Sequence, residues 1–160
     1  MRYILRRREL EAAGADEAPL VPLNELSADP ERWRSRGGRL GVRLAPADAV
    51  EELAERLAVV SLVAVEFPSP GEGRGYSQAR LLRERFGFRG ELRAIGAGVR
   101  RDRLFLLARC GFDAFELAPG EDPEAARRAL ARYDVAYQPG SPLLEPRRQR
   151  FPRALSAPEA

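Results

Sequence analysis

The sequence predicts an α/β fold with a parallel sheet, and three observations support that prediction. From residue 39 onward, short apolar runs alternate with segments of helical periodicity. Gly, Pro and Asp lie in the turns between them, where such residues end strands and start helices. The alternation repeats in about four units, and strands joined through helices pair in parallel with right-handed crossovers. An open flavodoxin-like sheet and half of a β/α barrel both fit this pattern.

The first two units precede Gly87. A strand over 40–44 is followed by a helix over 46–57, which Pro46 opens. A second strand over 62–67 leads through a turn into an amphipathic helix over 77–86. The glycine after it is a typical helix terminator.

The last two units follow the same plan. The third strand covers 91–95, and Leu104, Leu107 and Ala108 have helical spacing in the segment after it. The fourth strand covers 113–117, and Asp122-Pro123 then opens a helix of strong helix formers that runs to Tyr133. These units complete the predicted parallel sheet.

Both ends of the chain are less regular. We expect a single α/β domain over 1–138, in which 1–38 is an irregular extension with a candidate edge strand over 2–9, and 39–138 holds the β-α repeats. Five prolines and four arginines follow Gln138, so residues 139–160 are predicted to be a flexible tail.

Composition excludes several kinds of chemistry. The chain has no histidine and no lysine, which excludes Ser-His-Asp catalysis, histidine-ligated metals and Schiff bases. One cysteine cannot form an internal disulfide, and no apolar run approaches the roughly 20 residues of a membrane helix, so we expect a cytoplasmic protein. A net charge of +3 permits an acidic partner without requiring nucleic acid. We expect no metal and no cofactor, because no fingerprint for either is present.

A glycine-rich turn over 71–77 separates the second strand from its helix. Glycines let a backbone approach a ligand, a helix start offers free N–H groups, and Arg74 adds a forked donor that fits a carboxylate, phosphate or sulfate. A tight turn with a solvated arginine explains the pattern equally well, and the spacing matches no nucleotide motif. The candidate anion- or partner-binding residues here are Gly73, Arg74, Gly75, Tyr76 and Ser77.

Three predicted strands carry a charge where parallel strands are usually apolar: Glu66, Arg93 and Glu116. If the strands are neighbours, these side chains lie on one side of the sheet. Buried charges must be paired or must face a wet cavity. Arg93 is therefore a candidate anion ligand and the two glutamates are candidate acid/base groups, but an internal salt-bridge network satisfies the same charges.

Ligands of parallel sheets bind at the carboxyl ends of the strands. The turn after the third strand brings Arg100 and Arg101 to that edge, beside Arg74. An electropositive edge could hold a small anion or bind an acidic protein surface. Cys110 lies in the last turn of its helix, where the helix dipole disfavours a thiolate, so we expect a structural, half-buried thiol.

Three ordered blocks resemble a known bacterial family, domain of unknown function number 934. They are Gly73–Arg85, Gly90–Gly96 and Arg109–Leu117, and the resemblance extends over about residues 1–138. Members are often labelled as oxidoreductases of sulfite reduction. The resemblance implies a role in assimilatory sulfate reduction, because such proteins are typically encoded beside the sulfite reductase haemoprotein. It implies no established catalytic residues.

The chain departs from the family pattern at three positions. Glu72 stands where the family usually has Asp, while Ala97 and Arg103 stand where it usually has Asp and Gln. The missing carboxylate at Ala97 weakens any acid/base or metal-binding role for that turn.

Two functions follow as expectations. The first is an accessory protein that binds sulfite reductase or its electron donor. The second is an enzyme or sensor that binds a small oxyanion, such as sulfite or adenylyl sulfate, at the carboxyl ends of the strands. Whether the chain is an enzyme stays open at this point.

Overall fold

The computed structural model describes residues 3–6, 9–12, 19–28 and 40–132, and confirms the α/β class. Within those residues, one sheet has the strands β1 (Tyr3–Arg6), β2 (Glu9–Ala12), β3 (Leu20–Pro22), β4 (Leu40–Leu44), β5 (Val60–Glu66), β6 (Glu91–Ile95) and β7 (Ala114–Glu116). The helices are α1 (Leu23–Ala28), α2 (Glu51–Ala54), α3 (Arg74–Arg80), α4 (Leu104–Arg109) and α5 (Pro123–Ala131). A π-helical turn, Leu81–Arg85, continues α3, and 3₁₀ turns cover Leu57–Val59 and Arg101–Arg103.

The strand order separates the two sheet types that the sequence left open. It is β2-β1-β7-β6-β5-β4-β3, and β3 to β7 are parallel neighbours in chain order. A doubly wound, flavodoxin-like sheet reverses its strand order part-way. No reversal occurs among these five strands, so they have the winding of a half-barrel. The hairpin β1-β2 adds antiparallel to β7.

All described helices cover one face of the sheet. Successive right-handed crossovers in one direction place every connecting helix on the same side. Strand residues such as Val63, Leu92 and Phe115 accordingly share one hydrophobic cluster with Leu53 of α2 and Leu130 of α5. This cluster is the main core.

The opposite face, which no helix of the described residues covers, also holds buried side chains. Ile4, Ala64 and Ala114 are fully buried and Leu62 is nearly so, yet none belongs to the main cluster. The pairing register places these residues together. Ala64 and Ala114 lie on either side of Arg93, and Leu62 and Ile4 lie on the same face of the sheet. Both faces of the sheet therefore hold buried residues, but only the residues of the helix-covered face belong to the main core.

The chain length between β2 and β3, the two edges of the sheet, shows that the sheet curls. Flat, its edge strands would lie six spacings apart, about 29 Å. Ala12 and Leu20 are separated by eight peptide steps, which reach at most about 28 Å when fully extended. The same eight steps must also lead from the carboxyl end of β2 back to the amino end of β3, because the two strands are parallel. Only a curved sheet brings these strand ends close enough.

Two helices begin elsewhere than predicted, for local reasons. The predicted helix over 46–57 is a turn followed by the short α2, because Asp48 Oδ2 accepts a hydrogen bond from the Ala45 amide at 2.7 Å and stabilises a turn there. Helix α3 begins at Arg74 rather than Ser77, and the Glu72 carboxylate accepts a hydrogen bond from the Arg74 amide at 2.9 Å, which satisfies one of the free N–H groups of the first turn.

The N-terminal region is more regular than expected. The candidate edge strand over 2–9 overlaps β1, but its predicted edge position is wrong, because β1 lies between β2 and β7; the edge strands are β2 and β3. The predicted tail, 139–160, lies outside the described residues, as does Tyr133. No helix of the described residues is long and apolar enough to cross a membrane.

Candidate functional site

The loops that follow β4, β5 and β6 are tied together at the carboxyl edge of the sheet. Gln78 on α3 donates from Nε2 to the carbonyl oxygens of Ala45 and Asp48, at 2.9 and 3.0 Å, in the loop after β4. The Gly98 amide, after β6, donates to the carbonyl of Phe67, after β5, at 2.8 Å. Side chains on these loops therefore share one edge, as the sequence predicted for parallel strands.

Close packing around Phe67 explains why three positions at this edge are glycine. A Cβ on Gly75 would lie 2.5 Å from the Phe67 ring, and one on Gly96 2.5 Å from its carbonyl oxygen. Gly98 is restricted in the same way, with a Cβ 2.6 Å from the Ser69 carbonyl oxygen. These three glycines are required by close packing between loops, whether or not a ligand binds. At Gly73 a Cβ would meet nothing within 4 Å.

Tyr76 packs beside this centre. Its ring meets the Phe67 ring edge-on, with centroids 5.3 Å apart. The Tyr76 hydroxyl is buried and has no hydrogen-bond partner in the part of the chain that the structure describes. The neighbouring Ser77 is exposed on the first turns of α3.

The three predicted arginines stand on adjacent loops of the carboxyl edge. Arg74 and Arg101 are exposed, and their guanidinium groups form no ion pair with the described residues. Arg100 lies 3.5 Å from the Glu121 carboxylate but leaves 54% of its side chain exposed. The Arg101 amide donates to the same carboxylate at 3.2 Å, so Glu121 fixes the loop while the arginine side chains project outward. We call Arg74, Arg100 and Arg101 the arginine rim.

Glu66, a candidate acid/base residue, is engaged by Arg43 of the neighbouring strand. Arg43 Nη2 donates to both carboxylate oxygens at 2.8 Å, and its Nε donates to Oε2 at 3.2 Å. Such multiple, charge-assisted hydrogen bonds fix both side chains. Proton transfer by Glu66 would require this pair to open, so the geometry favours the structural role.

Arg93 belongs to a regular row of alternating arginines and alanines on the face opposite the described helices. Register places Arg43, Ala64, Arg93, Ala114 and Arg6 side by side across five strands. Every second position is an arginine, and the alanines between them leave room for long side chains.

Glutamates on the same face neutralise this row. Glu91 pairs with Arg93 at 2.7 Å and with Arg6 at 3.1 Å, and Arg6 also pairs with Glu11. Glu116 lies one row nearer the carboxyl edge, opposite Ile4 of β1. The sequence correctly placed Glu66, Arg93 and Glu116 on one face, but it missed Glu91 and Arg6.

A second buried ionic group lies at the other end of the sheet. The Arg83 side chain, 2% exposed, pairs with Asp113 at 3.0 Å and donates to the carbonyls of Phe88, Gly90 and Gly111. Burial lowers the pKa of Arg83 and raises that of Asp113, and the attraction between the two groups opposes both shifts. This pair was not predicted from the sequence, although Arg83 follows Ala79 by four residues and so shares its buried face.

Cys110 has the environment that the sequence predicted. It is half-buried at the end of α4. Burial raises the pKa of its thiol, and the nearby positive charges of Arg80 and Arg109 offset this only in part. A thiol of this kind is a poor nucleophile at neutral pH.

The match to a family model identifies the chain's relatives. Residues 41–146 match a family described as a bacterial protein of unknown function, DUF934. The chain belongs to this family. No curated protein matches it. For this DUF934 protein, no group of three or more metal-ligating side chains occurs among the described residues.

Proposed function

We propose that this DUF934 protein is an accessory of assimilatory sulfite reduction that binds an acidic surface of sulfite reductase or of its electron donor. The observation that carries the proposal is the arginine rim, in which two exposed guanidinium groups have no described ion-pair partner. Arginine is favoured at protein interfaces, because its planar guanidinium group donates two parallel hydrogen bonds to one carboxylate. The link to sulfite reduction comes from the family resemblance.

The remainder of the carboxyl edge suits a rigid binding surface. Gln78 and the glycines around Phe67 hold the neighbouring loops together. The Arg43–Glu66 pair is internally satisfied, so it needs no ligand. A surface already fixed in its bound shape loses little conformational entropy on binding.

Binding of purified sulfite reductase, with its electron donor tested in parallel, decides the proposal. We expect Arg74→Glu and Arg101→Glu each to weaken the complex about tenfold or more at low salt, because each places a negative charge against an acidic partner. Arg89→Glu is the matched control, since Arg89 is an exposed arginine in the turn before β6, at the amino edge. Equal affinity of all three variants, or no binding by the wild type, would contradict the proposal.

The alternative is a small oxyanion held by Arg74 at the start of α3. An anion that binds only the native state adds about 2.7 kcal/mol to the free energy of unfolding at 100-fold its Kd. Unfolding in sulfite, sulfate or adenylyl sulfate therefore distinguishes the two functions. Stabilisation that Arg74→Glu abolishes and Arg89→Glu retains would favour the oxyanion.

A further inference from the structure

The segments that carry the arginine rim hold as many carboxylates as arginines. They are 67–74 after β5, 96–103 after β6 and 117–122 after β7. Together they contain four arginines and four acidic residues, namely Arg74, Arg100, Arg101 and Arg103 with Glu72, Asp102, Glu121 and Asp122. Because these charges cancel, a general positive potential is not the main attraction for an acidic partner. The position of each guanidinium group must then decide what binds.

Glu72 holds the backbone of one rim arginine. Its carboxylate accepts a hydrogen bond from the Arg74 amide at 2.9 Å. The Glu72 amide donates to the Ser69 carbonyl at 3.1 Å, and this carbonyl oxygen lies so close to Gly98 that a Cβ there would be only 2.6 Å away. Glu72 is thereby fixed against the loop after β6, and it fixes the start of α3 in turn. The Arg74 guanidinium group takes no part in these hydrogen bonds, and the residue is exposed.

Glu121 holds the backbone of a second rim arginine in the same way. Its Oε2 accepts from the Arg101 amide at 3.2 Å, and its Oε1 lies 3.5 Å from Arg100 Nε. The Glu121 amide donates to the Ala118 carbonyl at 3.2 Å, and the Ala118 amide donates to the Val99 carbonyl at 3.1 Å. Its side chain is only 17% exposed. Two separate loops thus use a glutamate to hold an arginine by its backbone amide while the arginine itself stays exposed.

A hydrogen bond to the amide fixes the point from which an arginine side chain extends. A folded partner with carboxylates at matching positions then loses little conformational entropy on binding, whereas a flexible chain must still order itself. We propose that Glu72 and Glu121 are positioning residues of the arginine rim, through which the rim selects the carboxylates of a folded protein over a flexible polyanion. This inference rests on the proposed function, because it states how the same rim recognises its partner.

Each glutamate also has an opposing effect, so the sign of a substitution's effect tests the proposal. A carboxylate beside the rim repels an acidic partner, so its replacement by alanine or by glutamine should strengthen binding equally if charge alone matters. The two substitutions differ in one respect, because the glutamine side-chain oxygen still accepts a hydrogen bond from the amide and alanine has no acceptor. A positioning role therefore predicts weaker binding for alanine but not for glutamine.

The affinity for purified sulfite reductase or its electron donor measures this difference. We expect Glu72→Ala and Glu121→Ala each to weaken the complex about threefold or more, mainly through faster dissociation, because an arginine must then be ordered on binding. Glu72→Gln and Glu121→Gln should bind at least as tightly as the wild type. Glu55→Ala is the matched control, since Glu55 is an exposed glutamate between α2 and β5, and it should leave the affinity nearly unchanged.

Two further measurements separate positioning from charge and from misfolding. Poly-L-glutamate presents carboxylates without fixed positions, so all four rim variants should bind it at least as tightly as the wild type does. Hydrogen exchange without any partner should be at least about fivefold faster for the Arg74 and Arg101 amides in the corresponding alanine variants than in the glutamine variants. The amides of β5 should keep their protection in every variant, which shows that the variants are folded.

Three results would overturn the inference while the proposed function stands. They are equal partner affinities of the alanine and glutamine variants, equal exchange of the two amides in both kinds of variant, and a loss of poly-L-glutamate binding as large as the loss of partner binding. If the wild type binds neither sulfite reductase nor its electron donor, the proposed function is wrong, and the selectivity inferred for the rim is wrong with it.

Discussion

Replacing Arg83 with methionine tests the buried ionic centre at the amino edge of the sheet. Methionine keeps an unbranched apolar stem but removes the guanidinium group. Four hydrogen bonds of 2.8–3.0 Å are lost, to the carbonyls of Phe88, Gly90 and Gly111 and to the Asp113 carboxylate. All four acceptors are then left without this donor.

The size of the effect follows from burial. Removing one partner of a buried ion pair costs about 3–5 kcal/mol, because the other charge stays without compensation. Asp113 is 34% exposed in its side chain, so water can solvate part of its charge, and we place the loss near the lower limit, at about 3 kcal/mol. For a domain of this size, that loss lowers Tm by about 6–12 °C.

Urea unfolding monitored by fluorescence and circular dichroism measures this loss, provided that the m-value is unchanged. Arg80→Met is the matched control on the same helix. Arg80 pairs with Glu84 at 2.9 Å, but both side chains are well exposed, so it should lose less than about 0.5 kcal/mol. Arg83→Lys should be intermediate, because an ammonium group cannot reproduce the planar fork. A loss below about 1 kcal/mol for Arg83→Met, or equal losses for Arg83→Met and Arg80→Met, would refute this account of Arg83.

Three further outcomes follow from the same structure. Gly98→Ala should destabilise the protein by about 1–3 kcal/mol in urea unfolding, whereas Gly73→Ala should change stability by less than about 0.5 kcal/mol, since only the first places a Cβ against backbone; similar losses would contradict the packing role of Gly98. Burial raises the pKa of Asp113 above that of a free aspartate, so the native state binds this proton more tightly than the unfolded state does. Wild-type stability should therefore fall relative to Asp113→Asn as pH rises from the ordinary aspartate pKa to the raised one, and parallel pH profiles would count against the shift. Burial likewise raises the pKa of Cys110, so a thiol reagent at pH 8 should modify it more slowly in the native than in the urea-unfolded protein, and equal rates would exclude a protected thiol.

The local sequence pattern was sufficient to predict the α/β class, because each β-α unit is specified by its own residues. Alternation of apolar runs and helical segments predicted β4 to β7, and the structure has each of them in the predicted position within a few residues. The pattern could not choose between the two windings, since strand order depends on contacts between units. The β1-β2 hairpin was only partly predicted, because its pairing partner, β7, is remote in the chain.

The candidate site was likewise predicted only in part from the sequence. Strand alternation placed Glu66, Arg93 and Glu116 on one face, since alternate residues of a strand point to the same side. The partners of these charges depend on register across several strands. Arg6 and Glu91, for example, are 85 positions apart and meet only because β1 adds beside β7.

The place of the β1-β2 hairpin in the sheet has a consequence for synthesis of the chain. Leu5 pairs with Phe115, which leaves the ribosome 110 residues later. Strands β3 to β6 can pair with their successors as each unit emerges, because these contacts are local. The hairpin must wait until β7 is complete, and closing so long a loop is slow in entropic terms. We therefore expect the parallel strands to form first during synthesis, and the β1-β2 hairpin, although made before them, to join the sheet among the last.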